Sequence, residues 1–403
     1  MTDLKHIDEL QVYKQETFVG ILRRTTKGCE LIFESSFLND QNYHRLSFQI
    51  QKQKVYRQSG VNLPPYFAGL IPEGLRLKSL VKEIKTSEDD LFSLLAATGE
   101  RSVGDIYTKA PGRQRPEIEI PSVKDIDFYQ FFDQSLQEGL ATKGDEALAG
   151  VQEKISASMI SFPVDIAEKG KSYILKLNPK DKPTLIHNEF QCLKLAKKCG
   201  LEVNKAKIVF DKNKNPGLLV ERFDRITDLS KKVHRIHQED ACQFLDRYPA
   251  DKYRLSYNEI CSGINEFATA PSIEILKTLQ LYIFSYLIGN GDLHGKNISL
   301  QTDFKTGREQ LTPAYDLICT YIYKDQKMAL KLDGRDCNFK RQYFVDFAKR
   351  FDLNEKAVLQ MIDRLIDQSS KHKNILLEIP GLDAKSEKMI SKMIDDRIKD
   401  LTK

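Results

Sequence analysis

The hydrophobic period of this chain of 403 residues changes once, near residue 237. Before that point apolar residues alternate in short runs, "TFVGILRR", "CELIFES", "HRLSFQIQ", "KISASMI", "SYILKL", "KIVFD" and "GLLVERFD". Alternation of this kind predicts strands half-buried on one face. After that point the spacing is helical, in "QEDACQFLD", "SIEILKTLQLYIFSYLIG", "YFVDFAKRFDL", "EKAVLQMIDRLIDQSSK" and "AKSEKMISKMIDDRIKDL". Three helices are also expected inside the strand-rich part. "SEDDLFSLLAATG" carries a serine cap, acidic first-turn residues and a terminal glycine; "DFYQFFDQSLQEGL" looks helical; "TLIHNEFQCLKLAKKCG" is amphipathic and closed by Gly200.

One segment reads as a linker. "KAPGRQRPEIEIPSV" has three prolines and a glycine and little periodicity, so it resists helix. Boundaries follow at 1–110, 111–123, 124–236 and 237–403: an N-terminal β-rich subdomain, a linker, a mixed region and a helical lobe. The surplus of 62 basic over 57 acidic side chains is too small and scattered to argue for nucleic acid by itself. No run approaches 18 consecutive apolar residues and "MTDLKHIDEL" lacks the regions of a signal peptide, so a cytoplasmic location with no membrane is expected. The seven cysteines are odd in number with no C-x-x-C pair, which suggests buried thiols and neither disulfides nor zinc.

The chemistry concentrates in "GNGDLHGKNISL", just after the most apolar helix. Asp292 and Asn297 stand five apart, and "LTPAYDLICT" supplies a second carboxylate, Asp316. Phosphoryl transfer from ATP uses one carboxylate to orient or deprotonate the acceptor hydroxyl, and an amide oxygen with a second carboxylate to hold Mg²⁺. D-x-x-x-x-N is the protein-kinase spacing for those roles. The bland alternative, an Asx-rich turn, explains the pair alone but not the whole set with His294, Lys296 and Asp316.

A kinase also needs a strand lysine for the α/β-phosphates and a helix carboxylate to orient it. Lys176 sits in "SYILKLN" on the face opposite Tyr173, Leu175 and Leu177. It reads either as that lysine or as an edge-strand lysine reaching for water. Glu189 is either its partner or a solvated helix glutamate. "ALAGVQEKISA" lies where a phosphate-covering loop belongs, with Gly150 as its one glycine and Lys154 for charge. Glu221, Arg222 and Phe223 follow an apolar strand, as an interlobe hinge does. Strand-rich then helix-rich is the order of a two-lobed kinase fold.

Taken in order, "YFAGLIPEG", "ATGERSVGDI", "LAGVQEK", "YILKL", "NEF", "LVERFDR", "HQEDACQFL", "NGDLHGKN" and "PAYDLICT" resemble the HipA family of serine/threonine kinases, the toxin half of bacterial type II toxin–antitoxin pairs. The resemblance covers nearly the whole chain. It implies an α+β, two-lobed protein-kinase-like fold with an extra N-terminal β-rich subdomain and an all-helical C-terminal lobe. By position, Asp292 matches the catalytic base, Asn297 and Asp316 the Mg²⁺ ligands, and Lys176 the ATP lysine. Ala149, Gly150, Val151, Gln152, Glu153 and Lys154 match the phosphate loop, and Glu221, Arg222 and Phe223 the hinge. His294, Gly295, Lys296, Asn297, Tyr315 and Asp316 match nucleotide contacts. Ala147 stands where the family commonly has a serine whose autophosphorylation ejects the phosphate loop. It is read either as natural divergence or as an introduced Ser→Ala change, and it puts that self-inhibition in doubt.

Three functions follow for comparison. The first is a HipA-like kinase with ATP and Mg²⁺, held by a helix-turn-helix antitoxin on operator DNA. Its implied target is an aminoacyl-tRNA synthetase, with growth arrest and persistence as consequences. The second is a small-molecule kinase of the aminoglycoside or choline type, whose loop differs chiefly by a histidine at Asn290. The third is a co-regulator that binds antitoxin and DNA, for which Lys340, Arg341, Lys349 and Arg350 would meet phosphates. Glu239 and Asp240 begin a helix, where a capping role suffices, and support of the catalytic loop is the other reading. His294 either supports the loop by hydrogen bonding or takes part in proton transfer.

Overall fold

A computed structural model describes Leu4 and residues 7–60, 63–99, 102–111, 119–120, 122–131, 159–166, 171–179 and 182–403. Its N-terminal part is an antiparallel sheet of β1 (Glu9–Lys14), β2 (Thr17–Thr25), β3 (Gly28–Phe33), β4 (Val55–Ser59) and β5 (Ile106–Lys109), ordered β4-β3-β2-β1-β5. The helices α1 (Gly74–Ile84) and α2 (Leu91–Thr98) belong to the same part. Alternation puts Leu10, Val12, Leu22 and Leu31 on the inner face, against Phe67, Leu94 and Leu95. The α2 cap differs from the expected one: Asp90, not Ser87, accepts the Ser93 N–H at 3.3 Å. "HRLSFQIQ" is not a strand. The Leu46 N–H reaches back to the Ile50 carbonyl at 3.0 Å, so Leu46, Phe48 and Ile50 are buried by a turn that imitates period-two spacing.

The second sheet, β6 (Glu119–Ile120), β7 (Ile160–Ile166), β8 (Lys171–Leu177), β9 (Ala206–Phe210) and β10 (Pro216–Glu221), runs β6-β7-β8-β10-β9. Tyr173, Leu175 and Leu177 pack with Phe128 on one face. α3 (Leu185–Lys198) crosses to the other, as the amphipathic reading expected. Of "DFYQFFDQSLQEGL" only the start, helical at 128–131, falls within the described residues.

A hairpin of β11 (Arg225–Thr227) and β12 (Val233–Arg235) leads into a small sheet of β13 (Gln238–Asp240), β14 (Ser299–Thr302) and β15 (Glu309–Leu311). "QEDACQFLD" therefore begins as strand, over Gln238–Asp240, and is helical only at Ala241–Phe244. The remainder of the lobe is helical: α4 (Tyr257–Phe267), α5 (Pro271–Ile288), α6 (Arg341–Lys349), α7 (Glu355–His372) and α8 (Ala384–Thr402). α5 is apolar around most of its circumference because α4, α7 and α8 enclose it.

The N-terminal sheet is fastened to the rest by buried polar contacts. Lys14 and His237 both bond Asp105, at 3.2 and 2.8 Å, and Phe48 N–H donates to Glu239 at 2.6 Å. Arg222 and Arg225 clasp Asp224, which accepts the Gly104 N–H at 2.9 Å. Among the described residues no helix is long and apolar enough to cross a membrane. All seven cysteines are free, and six are buried.

Candidate active site

α5 ends at Gly289, whose φ of +73° is the left-handed conformation that closes helices and that glycine adopts without strain. The Asn290 N–H then caps the Ser285 carbonyl at 2.9 Å. The Asn290 side chain accepts the Asp292 N–H at 3.0 Å, and Thr320 Oγ1 accepts the Gly291 N–H at 2.7 Å. Asn297 Oδ1 accepts the His294 N–H at 3.1 Å. Asn290 is thus the Asx-turn residue of the bland reading, and it serves to hold Asp292 in place. Asp292 itself is buried, and the Tyr253 hydroxyl donates to its Oδ1 at 2.9 Å.

Lys176 and Glu189 meet inside the protein. The ammonium bonds both Glu189 oxygens, at 2.7 and 2.9 Å, and also Asp316. Lys176 is 7% exposed and Glu189 1%, so neither the edge-strand lysine nor the solvated glutamate describes them. Burial by itself would lower the Lys176 pKa, but the Asp316 and Glu189 carboxylates outweigh it and raise it above the ordinary lysine value. Asp316 takes a φ of +53°, an uncommon conformation for a residue with a side chain, and it turns the carboxylate toward Lys176.

A cavity of about 340 Å³ opens beside the loop and Asp316; Lys176 and Asp292 are not among the residues that line it. Its walls include His294, Lys296, Asn297 and Asp316 on one side and Met159 to Ser161 on another. A third wall, unforeseen in the sequence, is the N-terminal segment from Gly69 to Gly74. Lys296 bonds Asp240 at 2.6 Å and the Gly69 carbonyl at 3.3 Å, so its charge is already matched. Burial again works against that charge, and Asp240 and then Glu73 raise its pKa. Asp240 therefore has two tasks: one oxygen caps the helix at Gln243 and the other holds the loop.

Tyr315 donates to the Lys296 carbonyl at 2.7 Å, and its ring lies 5.7 Å from that of Phe223. Phe223 is thus brought to the site. The Arg222 guanidinium instead turns to Asp224 and Ser102, and Glu221 pairs with Lys171 at 2.9 Å. The Glu221 and Arg222 N–H groups are taken by the Lys205 and Ser172 carbonyls at 2.8 and 3.0 Å. Ala147 and the segment from Ala149 to Lys154 lie outside the described residues.

The described residues contain no cluster of three or more His, Cys, Asp or Glu that could hold a metal. Asn297 and Asp316 both line the cavity, with the Asn297 amide oxygen accepting the His294 N–H and the Asp316 carboxylate bonding Lys176. That donor set fits an ion completed by phosphate oxygens and water, the usual manner for Mg²⁺.

The family model described as the HipA-like C-terminal domain matches residues 147–373, and the HipA N-terminal domain matches residues 10–109. The chain belongs to the HipA family of serine/threonine kinases. Relatives of this HipA-family chain include the putative kinase Y4mE of Sinorhizobium fredii, 29% identical over 384 residues, covering 90% of each chain. The serine/threonine-protein kinase toxin HipA of Shewanella oneidensis is 29% identical over 327 residues, 71% of this chain and 74% of that one. A structure of Shewanella oneidensis HipA with HipB and operator DNA shares the fold, with a TM-score of 0.73 at 21% identity, covering 98% of this chain and 97% of that one.

Proposed function

We propose that this HipA-family kinase transfers the γ-phosphate of ATP·Mg²⁺ to a serine or threonine hydroxyl of a protein. The observation that carries this reading is the buried Lys176–Glu189 pair with Asp316 bonded to the same ammonium, which joins the sheet, α3 and the segment after the catalytic loop. An aligned strand lysine is what an ATP-dependent kinase requires, and the buried Lys176–Glu189 pair, with the partly exposed Asp316 beside it, supplies one. In this reading Asp292 accepts the proton of the acceptor hydroxyl. Lys176 holds the α/β-phosphates, Asn297 and Asp316 hold Mg²⁺, and Tyr315 and Phe223 flank the nucleotide. His294 and Lys296 keep the loop in shape. The division at 1–110, 111–123, 124–236 and 237–403 is part of the same proposal.

The reading extends to a cytoplasmic toxin of a toxin–antitoxin pair. Its partner is a HipB-like antitoxin on operator DNA, supported by the shared fold with a protein solved in that assembly. Its acceptor is an aminoacyl-tRNA synthetase, so that phosphorylation halts charging, translation and growth; this rests on the family resemblance. The test is label transfer from γ-labelled ATP into cell extract, with mass spectrometry of the labelled band. A synthetase band absent with Asp292→Asn is expected. Label in no protein, or in a small molecule alone, overturns the protein-kinase reading.

A further inference from the structure

The segment before α4 makes three separate contacts that meet at the catalytic loop. The Lys252 carbonyl accepts the Gly295 N–H at 3.0 Å. The next residue, Tyr253, donates its hydroxyl to Asp292 Oδ1 at 2.9 Å and sets its ring edge-on to His294, with centroids 5.0 Å apart. The Lys252 ammonium pairs at 2.9 Å with Glu73, on the N-terminal segment that walls the cavity. Lys252 is 13% exposed at the side chain and Glu73 34%, so the pair is partly shielded from water.

We propose that Tyr253 is a positioning residue for Asp292, and that the Glu73–Lys252 pair makes that positioning depend on the N-terminal subdomain. The inference rests on the kinase reading above and adds to it how the base is aimed. A carboxylate on a loop turns freely about its χ2, and only some orientations present an oxygen to an acceptor hydroxyl. A phenol hydrogen bond to Oδ1 removes that freedom. Burial and then the Asp292 charge push the Tyr253 hydroxyl well above its ordinary pKa, so it remains a donor at every working pH. Because Lys252 and Tyr253 are adjacent, a shift of Glu73 is passed to Asp292 through two neighbouring residues. The N-terminal subdomain is then part of the catalytic unit, and whatever binds or displaces residues 69–74 changes the rate without touching the nucleotide.

The experiment measures the initial rate of labelled phosphate incorporation into a fixed extract protein fraction, as a function of ATP concentration. Wild type, Tyr253→Phe, Glu73→Gln, the double variant and Asp292→Asn are compared. Tyr253→Phe is expected to lower the maximal rate about tenfold or more, as losing a hydrogen bond to a charged group does. The KM for ATP should stay within about twofold, because a positioning residue acts on the chemical step. Glu73→Gln should lower the rate less, and the double variant should be no slower than Tyr253→Phe, since both act on one orientation. Full activity of Tyr253→Phe, with Asp292→Asn inactive, overturns the inference and leaves the kinase reading standing. A strictly multiplicative double variant, or a rise in KM that accounts for the loss, also overturns it. No incorporation by wild type removes the kinase reading and the inference with it.

Discussion

Replacing Lys176 by methionine tests whether the buried cluster is built as described. The side chain is 7% exposed and its ammonium makes two bonds to Glu189, at 2.7 and 2.9 Å. A methionine there would fill most of the volume but leave Glu189, 1% exposed, without the cation that opposes the upward push of burial on its carboxyl, so that it is left buried and unpaired. Breaking one side of a buried pair in this way costs about 3–5 kcal/mol. Replacing both partners with apolar residues of similar volume is close to neutral, so Lys176→Met with Glu189→Leu should recover most of that loss. Asp316, 34% exposed at its side chain, is screened by solvent and adds little to the sum. The chain has no tryptophan, so urea unfolding is followed by circular dichroism. Both variants should lose phosphotransfer while only the single one loses stability. A single variant within about 1 kcal/mol of wild type, or a double variant no more stable than the single one, would refute the buried pair.

Other predictions concern the joint, the loop and the thiols. Burial opposes ionisation of Asp105 and Asp224. Lys14 and His237 around the first, and Arg222 and Arg225 around the second, outweigh it and hold both well below the usual carboxylate range. That stability is present above the ordinary aspartate value of about 3.9 and is lost as pH falls below it. For His237, burial and Lys14 lower the pKa but Asp105 and Glu239 prevail and raise it. Its contribution is complete below the ordinary value of about 6.5 and is lost as pH rises through the folded value. Melting temperature should therefore fall from about pH 6 to about pH 9 more in wild type than in His237→Gln; equal slopes would count against the joint. At Gly291 an added Cβ would stand 2.6 Å from the Lys327 carbonyl oxygen, so Gly291→Ala should cost about 1–3 kcal/mol and most of the activity. A variant with wild-type melting and rate contradicts the loop packing. Burial pushes all seven thiols upward, but Cys337 alone is not buried, so Ellman's reagent in native buffer should modify it before Cys192, Cys199, Cys242, Cys261 or Cys319. Rapid reaction of those five thiols without denaturant contradicts the packing.

Much of the fold was legible because its signals are local. The alternation of "SYILKL" and the helical spacing of α3 and α5 survive in the structure because each face is buried as its pattern demands. Local signals also misled where a turn imitated a strand. Leu46, Phe48 and Ile50 alternate, yet their chain folds back at Ile50. In "QEDACQFLD" the pairing of β13 with β14 overrode a helical pattern, a contact between segments far apart in the chain. The site divides in the same way. Asp292, Asn297 and Asp316 stood out by type and spacing. Tyr253 and the wall at 69–74 did not, because each matters through a contact made only in the folded chain. "DKYRLSY" has nothing by which to distinguish its first tyrosine from a core residue.

The most direct test of the account is phosphoamino-acid analysis after incubating the purified chain with γ-labelled ATP, Mg²⁺ and an extract protein fraction, beside Asp292→Asn. The account predicts labelled phosphoserine or phosphothreonine with wild type, and none with Asp292→Asn although that variant still binds ATP. Equal label from both would contradict the role of Asp292. No label in any protein would contradict the protein-kinase claim itself.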